Sequence, residues 1–217
     1  MIFELITESL PPLLKSSVLT IHLTCLSLAI GACLALPLAM GRLSKNRWVA
    51  ALSFAYVYYF RGTPLLVQIF LIYYGLPQIG LTFAAYTSAL ISLSLNTAAY
   101  TAEIIRGGIQ AVPAGEVESA YAMGMNRTQV LSRIILPQMV GFALPAYGNE
   151  IILQIKATSL ASTITLLDLT GMARTLAART YAPLEIFSAA GIIYLVMVFS
   201  TSKLVTRMER RWTLYRR

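Results

Sequence analysis

Five apolar runs, each about the length needed to cross a bilayer, decide most of what this chain can fold into. They fall near residues 17–40, 52–74, 83–105, 146–166 and 184–204, and a spanning helix needs ~20 residues. Composition agrees with them. Only 12% of the 217 residues are charged and 57% are hydrophobic, whereas a soluble domain carries about a quarter charged residues. The expected fold class is therefore an all-α integral membrane protein of about five transmembrane helices, in one domain over residues 1–217. No tandem repeat, low-complexity tract or linker divides it. The acidic start (Glu4, Glu8) lacks the basic segment of a cleavable leader, so the first span is expected to be retained.

A net charge of +8 would suit a nucleic-acid binder, but the basic residues follow a topological pattern instead. Arg42, Lys45 and Arg47 follow the first span. Arg106, Arg127 and Arg133 surround a polar stretch after the third, and Lys203, Arg207, Arg210, Arg211, Arg216 and Arg217 close the chain. Five spans put all three groups on one face, leaving Lys15, Arg174 and Arg179 on the other. By the positive-inside rule the first face is cytoplasmic and the N-terminus is outside.

Several chemistries are excluded or disfavoured. No Gly-Lys-Ser/Thr occurs, so there is no P-loop for nucleotide. A single histidine, His22, makes a histidine-dependent triad implausible. Cys25 and Cys33 lie eight residues apart in one helix, ~12 Å, too far to bridge, and no metal spacing exists.

Residues 116–137, EVESAYAMGMNRTQVLSRIILP, form the longest run that is neither membrane-apolar nor terminal. Pro113-Ala114-Gly115 marks its entry. Residues 118–123 are helix formers, and Gly124 sits where a left-handed residue would end that helix. Asn126 can cap a second helix with Gln129 in the reciprocal position. Leu131, Ile134 and Ile135 give that helix an apolar stripe, and Pro137 is expected to stop it. Tyr121, Ala122, Met123 and Met125 fall at the bend. A helix–glycine–helix elbow of this kind is suited to entering a partner's cleft. Further on, Pro145 and Gly148 are expected to break the chain, placing 138–145 along the interface. Pro64 predicts a kink, Pro77 to Gly80 a tight external turn, and 172–181 a short outer helix.

The elbow also resembles a signature of the membrane subunits of bacterial ABC importers: Glu-Ala-Ala, three residues, Gly, nine residues, Ile-x-Leu-Pro. Here it reads Glu118-Ser119-Ala120, Gly124, Ile134-Ile135-Leu136-Pro137, departing only at Ser119. Arg61-Gly62-Thr63-Pro64-Leu65-Leu66-Val67-Gln68, Leu95-Asn96-Thr97-Ala98-Ala99-Tyr100 and Lys156-Ala157-Thr158-Ser159-Leu160 are similar to the polar amino-acid branch of these permeases. Asn149-Glu150 and SLASTITLL after Lys156 look closest to permeases for arginine, histidine or opines. The resemblance implies a multi-pass subunit of the bacterial inner membrane, in a dimer with itself or a paralogue. It further implies two cytoplasmic P-loop ATPase subunits, which would hold ATP and magnesium, and an extracytoplasmic solute-binding protein. The chain itself would carry no cofactor and would not be an enzyme. Force would pass through a coupling loop over about 107–137. The contacting residues implied are Glu118, Ser119, Ala120, Tyr121, Met123, Gly124, Met125, Arg127 and Arg133.

Four ionisable residues fall in or near the spans: Arg61, Glu103, Glu150 and Lys156. A charge at the bilayer centre costs ~2.5–3.5 kcal/mol on insertion scales, so each needs a partner, water or an interfacial position. They can neutralise one another, with Glu103 pairing Arg106 at i+3. Alternatively Glu150 meets a cationic ligand group, Lys156 a carboxylate, and Asn96, Tyr100, Thr158 and Ser159 supply neutral hydrogen bonds. With Thr63, Gln68 and Glu103 these make up the candidate substrate path. A glutamine- or cystine-type permease and a proton-driven secondary transporter are the competing readings.

Overall fold

The computed structural model describes residues 2–214, and the described residues form helices and short connections, with no strand among them. Arg216 and Arg217 lie outside the described residues. Helix α1 runs Ile2–Arg42, about 60 Å at 1.5 Å per residue, roughly twice the ~30 Å hydrocarbon thickness. The expected first span is only its later part. Its earlier part packs Leu13 against Leu169, Ala173 and Ile186.

After a turn, α2 (Arg47–Gly62) starts on an Asn46 cap whose side chain accepts the Trp48 N–H. It stops at Thr63–Pro64. The chain then turns by 104° into α3 (Leu65–Phe70), a π-helical turn (Leu71–Gly75) and a 3-10 turn (Leu76–Ile79). The expected kink is thus a full corner. Gly80, at φ 86°, closes the expected external turn.

Helix α4 (Ala85–Gln110) occupies the middle, packed against α1, α2, α3 and α7 (Leu136–Ala157). It runs parallel to α1, since Leu23 meets Leu93 and Arg42 meets Glu103. It runs antiparallel to α7, since Gly108 lies against Met139 and Thr97 against Glu150. Helix α5 (Ala114–Ala122) and α6 (Arg127–Val130) form the elbow between α4 and α7. A 3-10 segment (Thr158–Ile164) leads to α8 (Leu169–Thr180), a helix where a short one was expected over 172–181, and α9 (Pro183–Leu214) completes the bundle. The elbow therefore lies at the same end as Arg42, Arg47 and Arg211.

Among the described residues, three stretches are long and apolar enough to cross a membrane: Leu5–Arg42, Arg127–Ile164 and Pro183–Trp212. The bent pair is a fourth if its two limbs form one span. Helix α4 is long enough to be the fifth but is not apolar enough to count on that basis. Ser88, Ser92, Ser94, Asn96, Thr97 and Thr101 are turned inward along it. Small residues at helix contacts suit a membrane bundle, where lipid is as apolar as leucine and close packing drives association. Ala35 and Ala39 meet Ala99 and Ala102 in this way.

Two proline expectations are corrected. Pro137 does not stop the second elbow helix. A π-helical turn over Leu131–Ile135 widens the backbone just before it, and the helix continues as α7. Pro145 and Gly148 lie inside α7 without breaking it, so 138–145 is not a separate interfacial segment. Pro is tolerated in membrane helices because neighbouring groups adjust around the lost bond.

Gly31 lets α1 pack close against α4: a Cβ there would collide with the Thr97 methyl. Gly31→Val is expected to destabilise the protein by about 1–3 kcal/mol through overpacking. Thermal unfolding in detergent checks this, and an unchanged midpoint would contradict the packing.

Candidate functional site

The elbow is built by local chemistry. Helix α5 ends in a Schellman arrangement, with Met125 N–H donating to Ala120 O at 3.1 Å and Gly124 N–H to Tyr121 O at 2.9 Å. Gly124 adopts φ 81°, the left-handed region expected of it. Both halves of the capping box form: Asn126 Oδ1 accepts the Gln129 N–H, and Gln129 Oε1 accepts the Asn126 N–H, each at 2.9 Å. Gln138 donates to Glu116, tying α5 to the start of α7. Ala120 and Val130 are buried, which leaves the rest of the bend outward. Met123 is 74% exposed and Tyr121 47%. Glu118, Ser119, Gly124, Arg127 and Arg133 are exposed too, and Met125 is half-buried.

The second region is a polar seam along α4. At the Pro64 corner, Gln68 Nε2 donates to Phe60 O at 2.9 Å, Thr63 O at 3.2 Å and Thr63 Oγ1 at 2.9 Å. Asn96 Nδ2 donates to Phe60 O at 3.1 Å and to Gln68 Oε1 at 3.0 Å. Thr63, Gln68 and Asn96 are thus brought together, and their polar groups hold the corner. One turn on, the Arg61 guanidinium lies 5.2 Å from the Tyr100 ring centroid. Glu103 gathers three guanidiniums: Arg42 Nε at 2.9 Å, Arg106 Nη2 at 2.7 Å and Arg61 Nη1 at 3.8 Å. The expected i+3 pair with Arg106 is one of these. Glu150 is buried on α7 and accepts the Thr97 hydroxyl at 2.7 Å.

Lys156, Thr158 and Ser159 lie apart from that cluster. Lys156 is exposed, while the Thr158 and Ser159 hydroxyls donate to Ile155 O and Lys156 O at 2.7 Å each. Neither Lys156 nor Glu150 forms an ion pair among the described residues, so the four charges do not cancel pairwise. His22 is hydrogen-bonded to Tyr86 at 3.0 Å, and Cys25 and Cys33 are free thiols.

Sequence reasoning passed over Arg42 and Thr97 as charge partners, and over Asp168. Asp168 is the chain's only aspartate and sits directly before a helical run, a capping signal that was available to be read. It is fully buried and N-caps α8, its Oδ1 accepting the Gly171 N–H at 2.9 Å. Its Oδ2 is buried without a close hydrogen-bond partner, and the nearby Tyr194 hydroxyl shares a hydrogen bond with Thr170 Oγ1 at 2.9 Å. Burial pushes its carboxyl up to about 6.

The sequence pattern of the family described as "Binding-protein-dependent transport system inner membrane component" matches residues 27–214. The chain is 49% identical over 216 residues to the nopaline transport system permease protein NocM of Agrobacterium fabrum, covering 95% of this chain and 90% of that one. It is 42% identical to the histidine/lysine/arginine/ornithine transport system permease protein HisM of Escherichia coli K12, covering 89% and 86%. A crystal structure of an amino acid ABC transporter with histidines superposes with a TM-score of 0.88 at 38% identity, over 93% of this chain and 94% of that one. The inward-facing MetNI methionine ABC transporter has the same fold, with a TM-score of 0.78 at 18% identity over 92% and 96%.

The raised Asp168 carboxyl fixes the sign of a pH effect. Between pH ~4 and ~6 the folded state keeps a proton that the unfolded chain has released. Stability therefore falls as pH rises through that window, by about 2–3 kcal/mol for a shift of this size. Asp168→Asn is expected to remove that slope and raise the neutral-pH unfolding midpoint. The same slope in the variant would show that Asp168 is not its source.

Proposed function

The chain belongs to the family of binding-protein-dependent transport system inner membrane components, and from that premise we propose that it is the permease subunit of an ATP-driven importer for basic amino acids or opines. Its relatives' names include nopaline and histidine/lysine/arginine/ornithine transport. The observation that carries the mechanism is the exposed, doubly capped elbow at the basic end of the bundle. In this reading the single permease domain pairs with itself or a paralogue in the bacterial inner membrane. Its N-terminus is outside, and the elbow and C-terminus are cytoplasmic. A separate P-loop ATPase binds ATP and magnesium, and an extracytoplasmic binding protein delivers the ligand.

The coupling loop spans about 107–137. Tyr121 and Met123 enter the ATPase cleft, flanked by Glu118, Ser119, Arg127 and Arg133. Ala120 and Met125 pack beneath them, and Gly124 sets the bend. The substrate path follows the seam. Glu150 meets the cationic group of the ligand, while Thr63, Gln68 and Asn96 shape the path by holding the corner. Tyr100 and Glu103 line its elbow end, and Lys156, Thr158 and Ser159 lie toward the opposite end.

Reconstitution with the ATPase and binding protein tests the assignment directly. Arginine, lysine or histidine is expected to stimulate ATP hydrolysis more than glutamine or cystine. Stimulation by glutamine or cystine alone would overturn the basic-substrate reading. Glu150→Gln is expected to lower arginine uptake about tenfold relative to glutamine, as loss of one charged hydrogen bond implies. Unchanged relative rates in a normally inserted protein would remove Glu150 from selectivity. Gly124→Val strains the left-handed position, where a β-branched residue is disfavoured. It is expected to cut transport per ATP hydrolysed, and normal coupling would show that the bend needs no glycine.

A further inference from the structure

Within the Glu103 cluster, Arg61 is the guanidinium left without a hydrogen bond among the described residues. Glu103 Oε1 accepts Arg42 Nε, and Oε2 accepts both Arg106 Nε at 2.9 Å and Nη2 at 2.7 Å. The oxygen nearest Arg61, Oε2 at 3.8 Å, is therefore already occupied by two donors. Arg61 is held instead by the Tyr100 ring beneath it, with its side chain 44% exposed. A cavity of about 380 Å³ opens there, lined among others by Arg42, Tyr58, Arg61, Tyr100 and Glu103. That volume lies within the roughly 300–1,000 Å³ of small-molecule sites.

The charges around the cavity are unbalanced. Arg61 is close enough to Glu150 for its charge to act on that carboxylate. Among the lining residues themselves, the Arg42 and Arg61 guanidiniums stand against one carboxylate, Glu103, formally leaving one positive charge. A planar fork with free N–H groups, beside an aromatic wall, is suited to a single carboxylate. A phosphate would bring more charge against the Glu103 carboxylate in the same wall.

We propose that Arg61 binds the α-carboxylate of the transported amino acid in this cavity, with Glu150 on the cationic side of the same ligand. The proposal rests on the amino-acid permease reading and adds an anion-binding residue to it. The site lies between the membrane-buried Glu150 and the elbow end, so it holds the ligand on the far side of the Pro64 corner from Lys156.

The test uses the complete permease–ATPase complex in nanodiscs, with two pairs of probes: L-arginine against agmatine, and L-glutamine against 4-aminobutanamide. Each pair differs by the carboxylate. In the wild type the carboxylate-bearing member is expected to bind about tenfold or more tightly, the worth of one charge-assisted contact. Arg61→Gln is expected to bring the two members together, and Arg61→Lys, which keeps the charge without the fork, to fall between. Size-exclusion behaviour of each variant checks assembly. If arginine fails to bind but glutamine binds, the basic-substrate reading falls and Arg61 is judged on the glutamine pair. Undiminished discrimination in Arg61→Gln, or no binding of any probe to the wild type, would overturn the proposal. So would an Arg61-dependent competition by phosphatidylglycerol without carboxylate discrimination, which would assign the anion to a lipid phosphate.

Discussion

Two side-chain amides hold the corner at Thr63–Pro64. Where α2 gives way to α3, a 104° corner and a proline free the carbonyls of Phe60 and Thr63. In an apolar surrounding an unmet carbonyl costs several kcal/mol, so such a corner survives only where the protein supplies donors. Gln68 reaches back across the corner from α3, and Asn96 reaches it from α4. The bond between the two amides fixes which way each points. The position of α3, the exposure of Arg61 and the shape of the cavity beneath it all follow from that corner. Neither amide has a donor to spare, so neither can grip a ligand without releasing the bend.

The same economy explains α4. A helix surrounded by α1, α2, α3 and α7 has little lipid to satisfy, so its faces are free to carry serine, threonine and asparagine. Ser92, Asn96 and Thr97 bind helix carbonyls or neighbours, whereas the Ser88, Ser94 and Thr101 hydroxyls are buried without a hydrogen-bond partner among the described residues. Two carboxylates of the bundle are informative. Glu103 sits near the elbow end among three guanidiniums and is structurally over-satisfied. Glu150, deeper and fully within the bundle, has one hydroxyl partner from the described residues. A buried carboxylate with so little local compensation is the costlier group to keep. That contrast makes Glu150 the better candidate for a ligand-facing role, and Glu103 a clamp joining α1 to α4.

The elbow was legible in the sequence because its structure is local. Gly124, Asn126 and Gln129 act within a few residues of one another, and each adopts the predicted role. The Pro64 kink was legible for the same reason, although its donors were not, since Asn96 is distant in sequence. Pro137 and Pro145 misled because proline predicts a lost hydrogen bond but not how the backbone absorbs it. A π-helical turn absorbs the first, and the bundle around α7 absorbs the second. Helix α4 was expected from the apolar run at 83–105, yet its serines and threonines keep it below the apolarity of the other spans. Thr97 beside Glu150 and Arg42 beside Glu103 depend on which helix faces which, information absent from any single segment. Asp168 was passed over, although an aspartate before a helical run is itself a cap signal.

The continuity between elbow and seam has a mechanical consequence. The helical path from Arg127 runs through the π-helical turn into α7 without a flexible break, as far as Ala157. Glu116 and Gln138 fasten α5 to that same rod. A displacement applied at Arg127 therefore reaches Glu150 through helix rather than loop. The rod is least regular at Leu131–Ile135, where π geometry exchanges hydrogen bonds most easily. In the proposed transporter, motion delivered at the elbow would turn α7 about this point and shift Glu150 against Thr97 on α4. The polar contact between those two residues is weaker than an ion pair and leaves the carboxylate able to part from it. A salt bridge at the same position would have locked α7 to α4, as Arg42 locks α1 to α4 through Glu103 nearer the elbow.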